Sequence, residues 1–225
     1  MKRMINSIVL LITILLIGFC FLISLIPDVT LTSGATLGCY MIPAIMIIIT
    51  MIIQIKKEKN IEQKEKIKNK WLKVLFVVYC LLLITILFLN NEYRTQIYRD
   101  LEIWSKEYLK EQNLIPFHTI GEYINKLANH QINTGIVILN IVTNLVLFMP
   151  MGIFASLLFE KKIKNWRQFT ILILGISVIV ELIQFLTSTG LADIDDVILN
   201  ALGALVSYAI MKIKKVKEFV QKILT

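Results

Sequence analysis

Lysine and arginine are absent between Arg167 and Lys212, although that stretch carries Glu181, Asp193, Asp195 and Asp196. An acid in a greasy segment ordinarily takes a neighbouring cation as its partner, and none lies nearby in sequence. Histidine is almost as scarce: His118 and His130 stand apart from the acids and read as solvated loop residues. With no HExxH and no GxSxG, neither a zinc-protease site nor a serine nucleophile has a basis here, while acid/base chemistry through Glu181 stays open. Cys20, Cys39 and Cys80 are scattered and odd in number. That excludes a disulfide framework and metal-ligand spacing and leaves small apolar packing residues. Neither a repeat nor a Pro/Gly/Ser-rich linker divides the chain.

Apolar residues make up 56% of the 225, and charged ones 18%. So little polar surface cannot clothe a soluble domain, and the bilayer must be the solvent for much of the chain. A hydrocarbon core of about 30 Å takes roughly 20 residues of helix. Six apolar runs meet that length, at 5–26, 37–55, 71–89, 135–159, 169–187 and 194–211. The first is longer than a signal-peptide core and has no small-residue cleavage site after it, so it reads as an uncleaved helix. Basic residues crowd 56–73, 161–167 and the tail from Lys212, whereas 27–36 and 188–193 have none. Because cytoplasmic loops retain Lys and Arg, both termini are expected in the cytoplasm. The formal net charge of +8 sits beside spans, where topology and anionic headgroups account for it, and no nucleic acid is expected.

The expected fold is therefore an all-α, polytopic transmembrane bundle of about six spans. Residues 1–90 would hold the first three helices and a basic loop, 91–134 an extracytoplasmic segment, 135–212 the last three helices, and 213–225 a basic tail. The Lys/Glu-rich stretch 56–70 reads as a solvated loop, helical or disordered. In the external segment, Ile97, Leu101, Trp104 and Tyr108 share one helical face, which suits a helix lying on the outer surface or a plain packing helix. Pro116 stops any helix and favours an extended Ile115, a turn able to re-enter the membrane edge.

Three polar stripes occur in the last three spans. Ser177, Glu181, Gln184 and Ser188 lie on one face of the fifth; Asp196, Asn200, Gly203 and Ser207 repeat that spacing on the sixth. Asn133, Asn140 and Asn144 share a face of the fourth, before an expected interruption at Pro150 and Gly152. The stripes are strongest toward the outer leaflet. An ionised carboxylate in hydrocarbon costs a few kcal/mol at least, so Glu181 should face inward. Water, a proton, a bound cation or a cationic group on a substrate would each answer its charge, and Arg94, Arg99 or Lys126 could fold over the site. The plainer readings are an N-cap at Asp193, first-turn acids at Asp195 and Asp196, and interhelical hydrogen bonds from the asparagines. Glu181, Asp193, Asp196 and Asn200 would suit Mg²⁺, Ca²⁺ or Mn²⁺ better than Zn²⁺, but no dedicated spacing supports a metal, and no cofactor is expected.

These residues carry a resemblance. Asn113-Leu114-Ile115-Pro116-Phe117, then Asn140 with Asn144-Leu145-Val146-Leu147-Phe148-Met149-Pro150-Met151-Gly152, then Glu181-Leu182-Ile183-Gln184, and finally Asp193-Ile194-Asp195-Asp196 with Asn200 and Gly203 resemble VanZ-like membrane proteins over roughly 113–210. The resemblance implies a multi-pass protein of the bacterial plasma membrane with a role in resistance to the glycopeptide teicoplanin. It departs at Gly190-Leu191-Ala192, where relatives often carry Arg, and at Ala201, where Thr is frequent. The expected site is a polar pocket opening to the outer leaflet, built from Asn140, Asn144, Glu181, Gln184, Asp193, Asp196 and Asn200. The expected partners are membrane lipids, with a cell-wall precursor or glycopeptide as the implied ligand. A membrane-embedded acid/base enzyme acting on a lipid headgroup, an interaction or immunity protein, and a carrier are the rival readings.

Overall fold

The computed structural model describes residues 2–26, 32–89, 109–110, 112–187 and 189–224. In chain order its α-helices are α1 (Lys2–Ser24), α2 (Ser33–Lys57), α3 (Ile61–Ile84), α4 (His118–Ala128), α5 (Thr134–Leu157), α6 (Trp166–Thr187), α7 (Ile194–Lys212) and α8 (Lys214–Leu224), and a π-helical turn, Thr85–Leu89, extends α3. Among the described residues the only β pairing is a parallel bridge between Asn113 and Asp193. Six helices are long and apolar enough to cross a membrane, which bears out the all-α, membrane-spanning class. The helix expected from Ile97 to Tyr108 lies outside the described residues, as do Arg94, Arg99 and Ser188.

The chain forms two compact units, residues 1–93 with 214–225, and residues 94–213. In the first, Tyr40, Ile47, Ile55 and Trp71 are fully buried where α2 meets its neighbours. Their polar atoms are matched: the Tyr40 and Thr85 hydroxyls lie 2.6 Å apart, and the Trp71 indole donates to Gln54 Oε1 at 3.2 Å. Matching of this kind is what burial of a polar atom in apolar surroundings demands. Asn60 caps α3 by accepting from the Glu62 and Gln63 N–H groups, so the Lys/Glu-rich stretch is helical from Ile61 onward. The three cysteines are free.

The second unit is organised around α7, whose Ala201, Gly203, Ala204, Ser207 and Tyr208 are all buried. Lipid tails are as apolar as leucine, so helices in a bilayer gain most from close van der Waals approach, and small residues permit it. The approach of α5 to α7 is close enough that a Cβ on Gly203 would stand 1.9 Å from the Leu145 carbonyl oxygen. One on Gly152 would stand 2.2 Å from the Ala204 oxygen. Between these contacts the Ser207 hydroxyl, itself on α7, sits 2.5 Å from the Met149 carbonyl oxygen of α5. The interruption expected at Pro150 and Gly152 does not occur, and α5 runs unbroken from Thr134 to Leu157. Pro150 lacks an N–H and so leaves the Val146 carbonyl without its helical donor, a single lost bond that a membrane helix packed this closely against its neighbour tolerates. At the opposite end of α7 from the Asp-rich turn, Tyr208 stacks on Phe169 of α6 with ring centroids 4.3 Å apart.

Candidate functional site

The polar faces of α6 and α7 owe their burial to helical spacing. Ser177, Glu181 and Gln184 recur at four and three residues on α6, and all three are buried. Asn200 is buried on α7, and Asp196, one turn nearer the helix start, is half-buried. The two helices run antiparallel, and at the Asp-rich end the Asp193 N–H, at the start of α7, donates to Glu181 Oε2 at 3.2 Å.

Around that contact the four acids are answered by neutral donors. Asp193 is the N-cap of α7, accepting from the Asp195 N–H at 2.8 Å and from the Asn113 amide at 2.8 Å. Asp196 accepts from the Asn144 amide of α5. Asp195, only 1% exposed, accepts the Phe117 N–H at 2.5 Å on one carboxylate oxygen and the Ile120 N–H at 3.0 Å on the other. Backbone N–H groups at the start of a helix carry the positive end of its dipole, so they stabilise carboxylates as cations would. A substantial part of what offsets acid charge in the cation-free stretch is thus main chain and asparagine.

The 113–117 segment joins this cluster through its backbone. The Asn113 N–H donates to the Ala192 carbonyl and the Ile194 N–H to the Asn113 carbonyl, both at 2.9 Å, while the Ala192 N–H donates to Gln112 Oε1 at 2.6 Å. Asn140 is exposed and reaches the group through α4, its amide donating to the Tyr123 hydroxyl at 2.9 Å. It lies one turn beyond Asn144, whose partner is already in the first turn of α7, so no part of α7 is left for it to meet. Burial raises the Tyr123 phenol above its ordinary range, and the nearby Asp196 and Asp193 carboxylates add to that against the Asn140 hydrogen bond, which lowers it. Tyr123 is therefore a neutral hydroxyl at neutral pH. Lys126 pairs with Glu122 at 2.8 Å, on the exposed flank of α4.

Two buried oxygens of the stripes, Ser177 Oγ and Asn200 Oδ1, have no hydrogen-bond partner among the described residues. Among the described residues no three His, Cys, Asp or Glu side chains come together closely enough to hold a metal ion. Asp195 and Tyr123 are members that sequence reasoning left out. Asp195 read as a first-turn acid because its two partners lie more than 70 residues away, and Tyr123 carried no sequence signal at all.

Fold and site together define an all-helical, multi-pass membrane protein with an acid-rich hydrogen-bonded cluster at one end of its C-terminal helices. A family model described as VanZ/LLP1 matches residues 76–215, and the chain belongs to that VanZ-like family. The match extends beyond the 113–210 carried by the sequence motifs, taking in the C-terminal part of α3. No curated protein and no solved structure matches the chain.

Proposed function

We propose that this protein acts in the bacterial plasma membrane, where the cluster of Asn140, Asn144, Glu181, Gln184, Asp193, Asp196 and Asn200 binds an envelope component and lowers susceptibility to glycopeptides of the teicoplanin type. The observation that carries the reading is that all four family motif elements meet in one hydrogen-bonded network: Asn113 to Asp193, Asp193 to Glu181, and Asn144 to Asp196. Lys161, Lys162, Lys164 and Arg167 lie between or beside α5 and α6 at the end away from the cluster, which supports placing the cluster on the non-cytoplasmic side, where cell-wall precursors are exposed.

The chemistry of the cluster narrows the ligand. Its carboxylates and the unpartnered Asn200 oxygen are acceptors, so a ligand bringing hydrogen-bond donors or an ammonium group fits better than a bare phosphate. Glu181→Gln keeps an acceptor for the Asp193 N–H while removing the charge and exchanging the other oxygen for an amide donor. A deletion strain restored with wild type should regain reduced susceptibility to teicoplanin. The same strain restored with Glu181→Gln at matched membrane level should not. Equal susceptibility of deletion, wild-type and variant strains across a panel of cell-wall antibiotics would remove the resistance reading.

A second reading is favoured by Glu181 accepting from the N-cap of the helix whose first turn carries Asp196: an enzyme using Glu181 or Asp196 as general acid/base on a lipid headgroup. Purified protein incubated with envelope lipids would then produce a mass change that Glu181→Gln abolishes. Absence of turnover for every lipid offered would sink this version and leave the binding version standing.

A further inference from the structure

The short segment before α4 is firmly held and yet turns its apolar side chains outward. Leu114, Ile115 and Phe117 are 75%, 66% and 63% exposed, and Ile124 on α4 is 60% exposed. Beneath them the backbone is tied down by the Asn113 bridge to α7, by the Ile115 N–H to Asn113 Oδ1 at 3.0 Å, and by Asp195. Phe117 adopts a left-handed φ of 65°, uncommon for a bulky residue and sustained only where surrounding bonds impose it. The fold thus builds a buttressed knuckle whose apolar side chains water would disfavour.

The surface around the knuckle indicates what covers it. Large apolar residues at the same end of the membrane helices are also exposed, Ile136 and Leu139 near the start of α5 and Ile183 and Leu186 near the end of α6, and on membrane spans such residues face lipid. The knuckle is bonded to the N-cap of α7 and joined through α4 to the start of α5, so it continues that lipid-facing surface at its rim. On α4 the polar His118, Glu122 and Lys126 lie on one flank, and Ile120, Ile124 and Leu127 on the other. A helix divided in this way suits the plane of a membrane interface, its apolar side in the outermost acyl region.

We propose that Leu114, Ile115, Phe117 and Ile124 insert into the bilayer leaflet at this end of the spans, making the motif segment a lipid anchor seated beside the acid cluster. The inference does not depend on what the cluster binds. Its orientation requirement is only that the knuckle and the span ends share a leaflet.

The test places a nitroxide label at Ile115→Cys and, separately, at Leu114→Cys, both exposed positions, in the full chain with its native cysteines replaced by alanine and reconstituted in phosphatidylglycerol/phosphatidylethanolamine vesicles. A label at Glu122→Cys, on the charged flank of α4, is the reference. The expected result is that oxygen reaches the 114 and 115 labels several-fold better, relative to a water-soluble nickel chelate, than it reaches the 122 label. Nickel access at 114 and 115 equal to that at 122 would show a knuckle standing in water and overturn the proposal. Poor access to both quenchers would show it covered by protein, either this chain or a second copy, and overturn it equally. Correct folding of each labelled protein is checked by its unfolding midpoint against the unlabelled chain.

Discussion

Replacing Gly203 with alanine is expected to force α5 and α7 apart and lower the stability of the C-terminal unit by about 3 kcal/mol, the upper end of the usual overpacking cost. The added methyl would stand 1.9 Å from the Leu145 carbonyl oxygen and 2.7 Å from its carbon. The opposing atoms are main chain within a helix, so no rotamer change relieves the clash. Gly152→Ala meets the same obstacle from the other helix, at 2.2 Å from both the Ala204 oxygen and the Ser207 hydroxyl. Gly175→Ala on α6 is the control: nothing lies within 4 Å of its Cβ, and alanine should be neutral or stabilising by up to about 1 kcal/mol through helix propensity. Unfolding of the detergent-solubilised protein followed by circular dichroism separates the three. A Gly203→Ala protein as stable as wild type would mean that the two backbones do not touch.

The second large effect is expected at Asp195. Asp195→Ala strands the Phe117 and Ile120 N–H groups, both now bonded to a carboxylate that is almost wholly buried. Hydrogen bonds to a charged group contribute about 1.5–3 kcal/mol each, so the loss should approach about 3 kcal/mol or more. It should also be local, releasing the 113–117 knuckle and the start of α4. Limited proteolysis near Phe117 is the direct readout, with cleavage accelerated in Asp195→Ala and less so in Asp195→Asn, which keeps one acceptor oxygen. Asp196→Ala, which removes the Asn144 contact between α5 and α7, should leave cleavage near Phe117 unchanged. Equal protection of Asp195→Ala and wild type would show that the knuckle is held by something else.

The two substitutions also mark where sequence reasoning stopped. Helix identity was legible because apolar run length and 3.6-residue spacing are local properties. The fifth run, read as 169–187, is α6 at Trp166–Thr187, and the stripe of Ser177, Glu181 and Gln184 is buried as its spacing implied. Gly203 and Ser207 read as small residues suited to close packing, and both are buried against α5. The family was legible too, because its motif residues stand in order along the chain. Pro150 misled, since whether a proline breaks a helix depends on what packs against it, and no local window contains the close contact of α5 with α7.

Alone, then, the order of residues determined six membrane-length helices, the buried polar faces of α6 and α7, and membership of the VanZ-like family. The stripe read on α5 did not hold, since Asn133 is the N-cap of that helix and Asn140 is exposed. Tertiary structure alone decided which acid does what: Glu181 is bonded to the Asp193 main chain, Asp196 to Asn144, and Asp195 to the turn and helix start at Phe117 and Ile120. The physical reason is reach. A periodic pattern is written within a few turns of helix, whereas a carboxylate takes whichever donor the folded chain brings within about 3 Å, however far away it lies in sequence.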